Sequence, residues 1–253
     1  MKVVMCEMEN VENNLNDSKI YQPHPKGTVM LNSIGLGTEY KNVTANVFIG
    51  YSAGDKILDE IRQANESVKI CVPNLGFSAK ITELLDNKIR NTGVKVGIVT
   101  VCSEKEKNSK EHKAALQKLI EYKSDSAVCD KLDLIVYKSR LYQEEKNNGS
   151  EYLQAHAKIY LIDNAVLYIP SANFTASGIE FNLETCTRIE KGSDANNRLI
   201  ERVSALFDSL VSNENKLPVF TLEELEKSLG KNEEQSAPSD NSPEITVTES
   251  SEK

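Results

Sequence analysis

The chain has 253 residues, 39% of them hydrophobic, and a formal net charge of −8. That suffices for one α/β domain of ordinary size with extensions. It lacks the bulk basicity of a protein that coats nucleic acid, so any polyanion site must be a local patch. The five cysteines, Cys6, Cys71, Cys102, Cys129 and Cys186, are odd in number and form no C-x-x-C pair. They argue against a disulfide framework or zinc ligation and fit a reducing cytoplasm. No apolar stretch approaches the ~20 residues of a membrane span, and "MKVVMCEMEN" is too short for a signal peptide. Cytoplasmic localisation is the expectation.

Residues 1–45 read as an N-terminal arm or extra hairpin. From Asn46 the pattern sharpens: "NVFIGY" predicts a strand, and "GDKILDEIRQANES" sets Ile57, Leu58, Ile61 and Ala64 on one helical face. "VKICV" predicts a second strand. "SAKITELLDNKIRNTG" repeats the helical spacing at Ile81, Leu84, Leu85 and Ile89, and "VKVGIVTV" predicts a third strand. This alternation implies an α/β fold with a mixed, largely parallel sheet flanked by helices on both faces.

A charged stretch, "SEKEKNSKEHK", leads into a helix with Ala115, Leu116, Leu119 and Ile120 inward, and His112 in that stretch reads as solvated. "KLDLIVY" predicts a strand and residues 138–155 a polar loop. "ETCTRI" and "SDANNRLIERVSALFDSLV" predict a further strand and helix. Residues 46–211 thus read as one domain and 212–229 as a helical extension with a Thr221–Glu224 capping box. Residues 230–253, with two lysines and six acids, read as a disordered acidic tail.

Between loop and strand lies "HAKIYLIDNAVLYIPSANFT", residues 156–175. Its apolar residues predict a hairpin, with Asp163-Asn164 at the reversal. On a strand, His156 and Lys158 share a face with Tyr160, and Ser171 and Asn173 leave the returning strand. Such a group suits attack on a phosphodiester. Lysine, serine and asparagine donate to non-bridging oxygens, and imidazole can attack phosphorus or move protons near neutral pH. No Asp/Glu cluster suited to a divalent metal accompanies it, so neither metal nor cofactor is expected.

The spacing His156-x-Lys158-x4-Asp163-x6-Pro170-Ser171-x-Asn173 resembles the HKD signature of the phospholipase D superfamily, with Pro170 in place of a glycine. "FNLE" resembles the stretch where that family sets a carboxylate against the histidine, which points to Glu184. The resemblance implies a phospholipase D-like fold and catalytic roles for His156, Lys158, Asp163, Ser171, Asn173 and Glu184. His156 would be the nucleophile, Lys158 and Asn173 would bind phosphate with Ser171 assisting, Asp163 would brace the hairpin, and Glu184 would orient His156. Lys138 and Arg140 could line an anionic groove.

HKD chemistry uses two histidines, and the chain has three. His24, in "HPKGTVML", lacks the aspartate, with Leu31 at its position. One chain therefore supplies half a site, and the expectation is a C2 homodimer in which two copies of His156 meet. The single motif resembles the nuclease branch, and most of all restriction or defence endonucleases. A metal-independent nuclease is expected, DNA favoured over RNA, with any sequence specificity supplied by a protein partner. The alternatives are a phospholipid or small-diester hydrolase or transferase, disfavoured because no membrane-binding stretch is present, and a non-catalytic HKD-fold module.

Overall fold

A computed structural model of the chain describes residues 40–50, 52–103, 109–139, 156–214 and 216–230. The strands are β1 (Asn46–Gly50), β2 (Ser67–Cys71), β3 (Leu75–Gly76), β4 (Lys95–Ser103), β5 (Leu132–Ser139), β6 (Ile159–Ile162), β7 (Val166–Pro170), β8 (Phe174–Thr175) and β9 (Glu184–Glu190). Seven form one sheet in the order β1-β9-β7-β6-β2-β4-β5, and β3 pairs with β8 beside it.

The sheet is mixed, as expected, but it is not largely parallel. Parallel pairing is confined to β2, β4 and β5. The pairs β1·β9, β9·β7, β7·β6 and β6·β2 are all antiparallel. The two-residue turn at Asp163-Asn164 can only reverse the chain, because a parallel partner needs a long crossover. Nor does β1 lie beside β2. It crosses to the far edge and pairs Phe48 with Cys186. Its pattern permits this: Val47 and Ile49 are exposed while Phe48 is half-buried, the alternation of a strand with one solvated face.

The helices are α1 (Ser52–Gln63), α2 (Ala79–Asp86, running into a π-helical turn at Asn87–Asn91), α3 (Lys110–Ser124), α4 (Asp194–Ser212) and α5 (Leu222–Gly230). Ile57, Leu58 and Ile61 of α1, Ile81 and Leu85 of α2, Leu116 and Leu119 of α3 and Leu225 of α5 share one core with Val68, Ile70, Val96 and Ile98 of the sheet. Full burial of each such side chain contributes roughly 1.5–3 kcal/mol. α4 covers the other face, packing Phe207 and Leu210 on Val99 and Tyr137, and Ile200 on Leu161, Leu167 and Ile189. The capping box forms: Glu224 N donates to Thr221 Oγ1 at 3.1 Å and Thr221 N to Glu224 Oε2 at 3.0 Å.

His112 is buried, contrary to its reading as solvated. It stands three and four residues before Ala115 and Leu116, on the inward face of α3, a periodicity that the surrounding charges disguise. Leu75 N donates to its Nδ1 at 2.9 Å, so the ring proton sits on Nε2, 3.0 Å from Val101 O. The neutral ring ties β3 to the end of β4. Burial holds its pKa below the ordinary histidine value, the two backbone contacts opposing only in part. The unfolded chain therefore binds the extra proton first. The stability contributed by the neutral ring is present above the ordinary histidine pKa of about 6.5 and falls as pH drops through it. Melting temperatures from pH 8 to pH 5 should decline with a histidine-like inflection that is missing in His112→Gln.

Candidate active site

The antiparallel half of the sheet brings distant residues to one end. The start of β6, the end of β7 and the start of β9 lie beside the ends of β1 and β2, with Cys71 opposite Ile159, Pro170 opposite Cys186 and Gly50 opposite Glu184. This is the carboxyl end of the parallel strands, where open α/β sheets place ligands.

His156 and Lys158 arrive just before β6, not within it, which corrects the expectation that they share a strand face with Tyr160. They are neighbours nonetheless. Lys158 Nζ is 3.5 Å from His156 Nδ1 and donates to His156 O at 3.3 Å. The imidazole is exposed and the lysine half-buried. Tyr160 turns inward and is fully buried. Freed from strand pairing, the histidine presents its ring to solvent with the lysine ammonium folded back toward it.

The hairpin that carries them is fixed at its other end. Asp163 and Asn164 have φ of 51° and 48°, the left-handed pair of a type I′ turn matched to strand twist. The Asp163 carboxylate accepts hydrogen bonds from Asn65 N at 2.9 Å, Glu66 N at 2.8 Å and Ser67 N at 2.9 Å. Lys88, buried in the π-helical turn, donates to Ala64 O at 2.7 Å. Burial pulls the Asp163 carboxyl upward, but the three amides and the Lys88 ammonium outweigh it and hold its pKa below the ordinary value. This contribution is complete above the usual carboxylate range and is lost as pH falls through the lowered value. Asp163→Asn keeps a residue that tolerates the turn but loses the charge on three donors. It should cost about 1–3 kcal/mol, read as a lower urea midpoint at pH 7 and a gap to wild type that closes as pH falls through the lowered Asp163 pKa.

Ser171 follows β7. Its N–H donates to Thr185 O at 2.8 Å, and its Oγ accepts from Thr185 N at 3.0 Å and donates to the Glu184 carboxylate. The other Glu184 oxygen accepts from Asn182 Nδ2 at 3.3 Å. The carboxylate expected behind His156 is thus bonded to Ser171 and Asn182. Asn173 is half-buried, and its Oδ1 is buried with no hydrogen-bond partner. Such an orphan acceptor costs about 1–3 kcal/mol, a penalty that only a hydrogen-bond donor relieves. Gly178 seats the Asn173 backbone: a Cβ there would lie 2.8 Å from Asn173 O.

Pro170 is compatible with its place. Ser171 N points to β9, so the nitrogen of Pro170 faces β6, whose pairing with β7 ends at Tyr160–Tyr168. No ladder bond is lost by the missing N–H. Lys138 is not in the group. It lies on β5, with β2 and β4 between it and β6, held by Glu224 at 3.2 Å and over the Phe220 ring at 4.9 Å. Arg140, His24 and the acidic tail lie outside the described residues. Among the described residues no cluster of His, Cys, Asp and Glu is arranged to hold a metal ion, and no helix is long and apolar enough to cross a membrane.

Residues 57–211 match the family model described as "Cardiolipin synthase, PLD-like domain". The chain belongs to the phospholipase D superfamily. No curated protein matches the sequence. Among solved structures of the superfamily fold, NucT from Helicobacter pylori is similar at 17% identity and a TM-score of 0.47, over 68% of this chain and 97% of that one. Nuc from Salmonella typhimurium, a phospholipase D family member, is similar at 18% identity and 0.45, over 70% and 98%. Phosphatidylserine synthase from Haemophilus influenzae is similar at 14% and 0.47, over 78% and 47%. Sequence reasoning missed Lys88 beside Asp163, Asn182 as the partner of Glu184, Gly178 as the seat of Asn173 and Gly54 as the seat of Ile179. Lys88 sits on the apolar helical face with Leu84, Leu85 and Ile89, which was the available signal.

Proposed function

We propose that the protein is a metal-independent nuclease that cleaves phosphodiesters through a phosphohistidine on His156, in a site shared by two copies of the chain. The observation that carries this reading is the pairing of an exposed imidazole with a lysine ammonium 3.5 Å away, at the sheet end that also holds Ser171, Asn173 and Glu184. An imidazole nitrogen of His156 attacks phosphorus, and the P–O bond to the leaving strand breaks. Lys158 and the Asn173 amide donate to the non-bridging oxygens as their charge grows. The departing alkoxide takes a proton from the partner's His156, which then deprotonates the water that releases the phosphate from nitrogen. DNA is the substrate to which the motif's resemblance to restriction endonucleases points.

The second copy follows from the histidine inventory. His112 is buried and committed on both nitrogens, so among the described residues His156 is the one histidine whose ring is open to proton transfer. A surface for that copy exists beside the site. Val47, Ile49 and Ile169 are exposed on the sheet face that α4 covers only toward its other end, and Leu183 is exposed just before β9. An uncovered apolar stripe of this kind suits a C2 interface.

The test is cleavage of single- and double-stranded DNA and RNA in EDTA beside His156→Ala. Cleavage that survives EDTA and vanishes in the variant supports the reading. Release of headgroup from lipid vesicles, with all nucleic acids intact, overturns it in favour of a lipid diesterase.

A further inference from the structure

Phe181 is 67% exposed at the candidate active site. Phe174 and Phe207 are buried, and Phe48, Phe77 and Phe220 are partly covered. Its exposure is not that of a slack loop. It ends a π-helical turn, Ser177–Phe181, in which Gly178 and Ile179 are buried. That turn is fastened on three sides. Asn182 N donates to Ser177 O at 2.8 Å, Gly178 N to Thr175 Oγ1 at 3.1 Å, and Ser78 Oγ to the Glu180 carboxylate. Gly54 of α1 lies directly on the Ile179 carbonyl. The next residue, Asn182, bonds Glu184, which bonds Ser171. An exposed aromatic ring on a fastened turn is therefore displayed next to Asn182, which reaches Ser171, in the group assigned to the phosphate, through Glu184.

Resting on the nuclease reading above, we infer that Phe181 is a stacking platform for an unpaired base beside the scissile phosphate, which makes the substrate a single-stranded nucleic acid. The net acidic chain offers a polyanion no bulk attraction, and among the described residues Lys138, at the same end of the sheet, is already held by Glu224. Where the described residues make few lysine and arginine contacts to phosphate, counterion release from them contributes little. Base stacking on an exposed aromatic ring supplies what is missing, and only a base outside a duplex offers its face. Because the turn is already fastened, binding has to order only the two side-chain torsions of Phe181.

The experiment compares, in the full-length protein, cleavage of an oligothymidylate with cleavage of an equally long strand of abasic tetrahydrofuran residues. The two carry the same phosphodiester chain with and without bases. Wild type should favour the thymidylate by about tenfold in kcat/KM, within the range of one stacked base. Phe181→Ala and Phe181→Leu should abolish that preference, and Phe181→Tyr should keep it. A preference that persists in Phe181→Ala overturns the inference. So does an equal loss on both strands accompanied by dissociation of the dimer in light scattering, which makes Phe181 an interface residue. So does weakened binding of Phe181→Ala to phosphatidylglycerol vesicles with strand cleavage unchanged, which makes it a lipid contact. A wild-type protein that cuts only duplex nucleic acid overturns the inference and leaves the nuclease reading standing. One that cleaves no single- or double-stranded DNA or RNA refutes the nuclease reading itself, and that failure is recognisable before any variant is made.

Discussion

Mixing wild-type protein with His156→Ala protomers should depress activity as the square of the wild-type fraction. If one site needs two copies of His156, a heterodimer has a nucleophile or an acid but never both. At an equal mixture that has fully exchanged subunits, about one quarter of the dimers are intact, because random pairing in a two-fold assembly leaves that share. A protein with a complete site in each chain would retain half. His156→Ala alone should lower kcat by about 10⁴-fold or more, since nucleophile and acid disappear together. The ring is exposed, and among the described residues its hydrogen-bonding side-chain neighbour is Lys158, so the urea midpoint should stay near wild type. Linear dependence on wild-type fraction would sink the shared site.

Gly54→Ala should be the most damaging single methyl that can be added to the described fold. A Cβ at residue 54 would lie 1.9 Å from Ile179 O, 2.6 Å from its carbonyl carbon and 2.7 Å from its Cα. All three are backbone atoms, so no rotamer change relieves the overlap. Either the first turn of α1 or the Ser177–Phe181 turn must move. Overpacking of this kind costs typically 1–3 kcal/mol and sometimes more, and an overlap of backbone on backbone belongs at the upper end. The Ser177–Phe181 turn seats Asn173 through Gly178, so activity should fall further than the folded fraction alone explains. Gly93→Ala is the control: nothing lies within 4 Å of a Cβ there, and the substitution should be close to neutral. Equal urea midpoints for the two variants would overturn the argument.

The sequence made some of this plain and concealed the rest for physical reasons. The core faces of α1 to α3 follow directly from apolar spacing, and the Thr221–Glu224 box from a local hydrogen-bond pattern. Both are short-range rules. Strand order is not local. Nothing within "NVFIGY" says that β1 pairs with β9 instead of β2, because its partner is more than a hundred residues away. The HKD positions were readable as a spacing, yet their partners were not. Lys88 serves Asp163 through the Ala64 loop, and Asn182 serves Ser171 through Glu184. His112 was hidden by its neighbours, since a charged run is read as a solvated face even when one of its members points inward.

The clamp at Asp163 also gives the motif a mechanical meaning. The aspartate and the histidine stand at opposite ends of one hairpin arm, seven residues apart in the chain. At roughly 3.3 Å per extended residue that is an arm of ~20 Å, bolted at the turn and free at the tip. The interval is a length, and the imidazole is delivered by measurement. Changing apolar residues along the arm alters how well it packs. Adding or removing one residue within β6 shifts its register and inverts its two faces, displacing the root of the imidazole with every candidate side chain still present.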